Sequence, residues 1–118
     1  MRALMVAVMA VTASVAVADD IDDAHRQAVS GRDFYWNCLA REYSRDSNRG
    51  MSGQDFKSLV ASVCPSERQN FRVTLVDYLS LQFPDADAGA HMTTANNAIA
   101  AAQKDVVTAF IKHRAAMK

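Results

Sequence analysis

Six residues punctuate this chain, and their positions restrict it to helices. Four glycines (Gly31, Gly50, Gly53, Gly89) and two prolines (Pro65, Pro84) are all it contains, and nearly all of them fall where a helical apolar pattern breaks, so they read as element boundaries. The segments between them show no alternating apolar run long enough for a sheet, no internal repeat and no low-complexity linker.

The periodicity within these segments predicts four helices. The first runs from about Ile21 or Ala24 to Arg45, loosened near Ser30-Gly31, with Asp19, Asp20, Asp22 and Asp23 near its positive end. Ser52 caps the second, with Asp55 three positions on. Phe56, Leu59, Val60, Val63 and Cys64 then follow one helical stripe. Pro65 disfavours helical dihedrals at Cys64 but suits the first position of a third helix, whose stripe is Phe71, Leu75, Tyr78, Leu79 and Gln82 and which Phe83-Pro84 closes. The fourth, from about His91 to Ala116, is alanine-rich; Met92, Ala95, Ile99, Ala102, Val106, Phe110 and His113 share a face that Val107 and Ile111 widen. Each helix has an apolar face that only the others can cover. The expected fold is therefore an all-α, small four-helix bundle.

Residues 1–18 stand apart. Met1-Arg2, an uninterrupted apolar run from Ala3 to Val11, and Ala16-Val17-Ala18 before Asp19-Asp20 follow the order of a cleavable signal peptide. The uncharged run is shorter than the roughly 18 to 20 apolar residues of a membrane span, and no positive flank follows it. The expectation is a leader cleaved near Ala18 and one periplasmic or secreted domain, residues 19–118, with no transmembrane segment. Removing the leader takes away Arg2 alone among the charges, leaving 12 Lys/Arg against 13 Asp/Glu and a formal charge of about −1. That balance gives no attractive field for nucleic acid.

Cys38 and Cys64 are the only cysteines. In an oxidising compartment an even pair reads as a disulfide, here expected to pin the first helix to the second. Placing Cys38 toward the core sets Phe34, Arg45 and, less closely, Glu42 on its side of the first helix. Val29, Trp36 and Tyr43 then lie nearly opposite. This second apolar stripe has two readings. It packs on the alanine-rich fourth helix, making the first helix central; or, with Arg32 one turn before Trp36, it forms an aromatic and basic partner-binding face of Val29, Arg32, Trp36 and Tyr43.

Chemistry-bearing constellations are sparse. His25, His91 and His113 are scattered without ligand spacing, so no metal is expected. The C-x-x-C-H haem motif is absent, and only His113 with Met51 or Met92 offers a non-covalent alternative. There is no G-x-S-x-G elbow, phosphate loop or HExxH, and Asp77 is expected to face solvent. The reading is a non-enzymatic protein with no cofactor, acting through contacts with an envelope or secreted protein.

The segments Tyr35-Trp36-Asn37-Cys38-Leu39 and Cys64-Pro65-Ser66-Glu67-Arg68, with 25 residues between the cysteines, resemble those of small exported two-cysteine helical bacterial proteins of no assigned activity. Trp36-x-Cys38, and Cys64 followed by Glu67-Arg68-Gln69-Asn70-Phe71, are faintly similar to the stretches around the two cysteines of the periplasmic acid-stress chaperones. That family's cysteines are farther apart and its chain ends richer in lysine. The second resemblance implies a bundle that acid loosens by protonating Asp19, Asp20, Asp22 and Asp23, exposing Phe34, Phe56 and Phe71 to clients.

Overall fold

The computed structural model describes the chain from residue 2 to residue 116, with side chains from residue 17 onward. Helix α1 spans Arg2–Ser44, a 3-10 turn Asp46–Asn48, α2 Gly53–Ser62, α3 Pro65–Gln82 and α4 Ala88–Ala116. The all-α bundle of four helices and the Cys38–Cys64 disulfide expected from the sequence both form. Most of the leader assigned to residues 1–18 lies outside the residues whose side chains are described; Val17 and Ala18 are exposed, and Ile21 is half-buried.

Long-range pairs define the topology. Cys38 reaches Cys64, Gly31 lies against Phe71 and Thr74, and the His25 ring stands 5.1 Å from that of Tyr78. Helices α1 and α3 therefore run antiparallel along most of their shared length. Helix α4 returns along α3, joined to it where Arg72 Nε donates to Asn96 Oδ1 (2.9 Å) and His91 Nε2 to the Phe83 carbonyl (3.1 Å). Helix α2 covers the other half of α4, its Phe56 ring stacked on Phe110 at 3.9 Å. The core runs through all four helices, with Tyr35, Leu39, Phe56 and Val60 fully enclosed.

Local chemistry sets the boundaries. Ser52 Oγ accepts from the Asp55 amide (3.1 Å), satisfying one of the orphan N–H groups at the start of α2. Pro65 opens α3 at the position where a missing N–H costs nothing. Between these helices Val63 is extended and Cys64 is left-handed (φ 58°, ψ 46°), the only non-glycine residue with positive φ among those described. Asn48, buried in the turn after α1, donates from Nδ2 to the Glu42 carbonyl (2.9 Å) and to Glu42 Oε2 (3.2 Å), answering an orphan carbonyl at the helix end.

Four details differ from the sequence reading. Helix α1 begins at Arg2 rather than near Ile21, because no breaker separates the two, so Asp19–Asp23 sit within the helix. Helix α1 is not loosened at Gly31; the missing side chain is what lets α3 approach. A Cβ there would stand 2.7 Å from Thr74 Oγ1 and 3.2 Å from the Phe71 Cα. Cys64 lies past the end of α2, so the disulfide ties α1 to the α2–α3 junction, with a Cα–Cα distance of 6.1 Å. Finally, the buried line of α1 is Ala28, Gly31, Tyr35 and Leu39, with Cys38 on its flank, and Phe34 is 59% exposed.

Candidate functional site

One recess among the described residues follows from how α2 and α4 pack. Each helix presents one helical stripe to it: Gly53, Lys57 and Ala61 of α2, and Ala100, Lys104, Val107 and Ile111 of α4. Near one end the helices touch closely, since a Cβ on Gly53 would stand 2.9 Å from Ile111 Cγ1. Toward the other end Ala61 and Ala100 are too small to fill the space between the backbones, and a groove of about 610 Å³ opens. That volume lies within the range of roughly 300 to 1,000 Å³ of recesses that hold ligands or partner side chains.

The groove is apolar on its floor and basic on its rim. Val107 is buried beneath it, and Ile111 leaves 49% of its surface to solvent. Lys57 and Lys104 are exposed at its two walls, and no carboxylate belongs to the lining. Gln103 connects the groove to the core, donating from Nε2 to the hydroxyl of fully buried Tyr35 (3.0 Å). That bond satisfies the one polar group of a core aromatic and fixes the α4 wall against α1.

The face anticipated on α1 is only partly free. Val29, Trp36 and Tyr43 are half-buried; Trp36 and Tyr43 pack against the core, and the Tyr43 ring lies 6.2 Å from that of His113 on α4. Arg32 is exposed and pairs with its neighbour Asp33 (3.2 Å). The two readings of that stripe therefore divide by position, with Tyr43 and the inner edge of Trp36 packed inward and Arg32 turned to solvent. The α2–α4 groove escaped sequence reasoning because it depends on two alanines facing each other across an interface. Its one sequence signal is the placement of Ala61 and Ala100 in line with Lys57 and Lys104.

Other groups are placed in ways that bear on chemistry. Cys38 and Cys64 Sγ with a Glu67 oxygen form a compact ligand-like trio, but both sulfurs are held in the disulfide and offer no thiolate. His113 and Met92 stand 21 residues apart on α4, about 31 Å at helical rise, too far to share an iron. His91 is buried, with Nε2 committed to Phe83. Asp77 faces solvent as expected. Asp19, Asp20, Asp22 and Asp23 are exposed, and Asp23 pairs only with Arg26 on the same helix, so protonating this cluster removes no contact between helices. No helix of the described residues is long and apolar enough to cross a membrane. No protein-family model, curated protein or solved structure matches this chain.

Proposed function

We propose that this is an exported, non-enzymatic binding protein that holds an acidic amphipathic helix of a partner protein in the α2–α4 groove. The observation that carries the reading is the joining, in one recess, of an apolar floor (Val107, Ile111) with a rim of two lysines and no acid. A partner helix laying apolar residues at i, i+4 and i+7 on that floor would bring flanking glutamates or aspartates within reach of Lys57 and Lys104. Export is supported by the order of residues 1–18 and by the oxidised cysteine pair. Arg32 and the free edge of Trp36 supply a second, smaller surface.

The test uses two synthetic amphipathic helices with the same apolar face, one flanked by glutamates and the other by lysines. The glutamate-flanked peptide binds saturably and the lysine-flanked one at least about tenfold more weakly at low salt; the double variant Lys57→Glu/Lys104→Glu reverses the preference without changing the melting temperature. Equal binding of both peptides, or a preference that survives the charge reversal, refutes the groove as the contact surface.

A further inference from the structure

A second recess, independent of the groove, lies where α1 ends beside the last turns of α4. Tyr43 and Ser44 of α1, Arg49 of the following loop, and Phe110, His113 and Arg114 of α4 enclose about 220 Å³. Its walls carry two guanidinium groups, an imidazole and two hydroxyl-bearing side chains, and no carboxylate. Arg49 reaches Asp46 Oδ1 at 3.4 Å, but both side chains are largely solvent-exposed, so the pair is weak and leaves most of its N–H donors unused. The nearer acid on α1, Glu42, is engaged by Arg45 (2.8 Å) and Asn48.

Arg114 is the decisive residue. Its guanidinium carbon stands 6.0 Å from the centroid of the Phe110 ring, which orients the group, while Nη1 is buried and has no hydrogen-bond acceptor among the described residues. A buried charged donor without an acceptor is costly, because it has given up water and gained no partner. Basic groups near helix C-termini gain from the helix dipole, but that gain leaves the Nη1 donor unanswered.

We propose that this recess binds an oxyanion of the phosphate class, gripped by Arg114 and Arg49 with His113 and the hydroxyls of Tyr43 and Ser44 as further donors. Planar guanidinium forks match two oxygens of such a group, and convergent donors from three segments distinguish a recess from a diffuse basic patch. The recess has room for a phosphate group, either free or as the head of a lipid. The two sources share this chemistry and separate in the test.

Full-length mature protein is titrated with inorganic phosphate against sodium chloride of equal ionic strength, following the His113 and Tyr43 ring signals by NMR, and separately with vesicles containing phosphatidate. The expected result is saturable phosphate-dependent shifts at those two rings that chloride does not reproduce, weakened at least tenfold by Arg114→Gln and by Arg49→Gln and unaffected by Lys57→Gln at the groove. Arg49 is exposed, so its variant tests the site even where Arg114→Gln perturbs folding. Phosphatidate vesicles that bind with the same variant dependence, in preference to free phosphate, assign the site to a lipid head. Shifts that rise linearly, that chloride matches, or that ignore both arginine variants mean an adventitious ion only and overturn the proposal.

Discussion

Reducing the Cys38–Cys64 disulfide is expected to lower the stability of the bundle by about 3.5 kcal/mol, the chain-entropy value for a loop of this length. The cysteines are 26 residues apart in sequence, and the bond joins α1 to the α2–α3 junction, so breaking it frees that junction in the unfolded chain. For a domain whose net stability is about 5 to 15 kcal/mol this is a large share. Urea unfolding with and without reductant reads it as a lower midpoint, accompanied by a steeper slope because the reduced unfolded chain exposes more surface. The left-handed conformation of Cys64 adds a sharper check. With the bridge removed, Cys38→Ala/Cys64→Gly is more stable than Cys38→Ala/Cys64→Ala by about 1 kcal/mol, because glycine alone adopts φ near 58° without steric cost. Equal stability of the two variants contradicts the assigned junction geometry.

Tyr35→Ala is expected to be the most damaging single substitution on α1, costing about 3 to 5 kcal/mol. The side chain is fully buried, its ring 6.4 Å from Phe71 of α3 and its hydroxyl bonded to Gln103 of α4, so truncation opens a cavity at a three-helix contact and strands the amide. Tyr35→Phe keeps the ring and loses the hydrogen bond, for about 1 kcal/mol. Trp36→Ala, at a half-buried position, costs about 1.5 to 2.5 kcal/mol by the apolar area it removes from contact. The order of these three, measured by chemical denaturation, reads out the rotation of α1. A larger loss at Trp36 than at Tyr35 contradicts the orientation described.

That contrast also marks where the sequence was legible. The stripe of α2 is buried at Phe56 and Val60 as its spacing predicts, and α4 buries Ala95, Ile99, Ala102, Val106 and Phe110, while Met92 and His113 at the two ends of that stripe are exposed. In both, the apolar residues outnumber the alternatives, so the period alone assigns the face. In α1 the pattern is ambiguous: aromatic and aliphatic residues surround the helix, and taking Cys38 as the centre of the buried face rotated it away from Tyr35. The structure resolves this with Gly31, whose bare Cα admits the α3 backbone, and with Gln103, which pairs with Tyr35 from 68 residues away. Neither contact leaves a periodic trace in the sequence.

The candidate sites were less legible than the fold. Lys57, Ala61, Ala100 and Lys104 gain meaning only when α2 and α4 are laid side by side, since two alanines in an amphipathic helix ordinarily signal helix propensity. The recess at the end of α1 joins Arg49 to Arg114 across 65 positions. Trp36 and Tyr43, which the sequence places on one stripe, are shared between core and surface, with Tyr43 set against His113. Side chains at the flank of a buried stripe serve both purposes, and spacing alone does not apportion them.

We propose that an exported, oxidised helical domain is the working form of this chain. It is tested most directly by the intact mass of the protein recovered from its own exported fraction, taken under denaturing conditions before and after reduction. The expected result is a chain beginning at Asp19 whose mass rises by two hydrogen atoms on reduction of Cys38–Cys64. A chain that keeps Met1 or Arg2 at its start, or whose mass is unchanged by reductant, contradicts it.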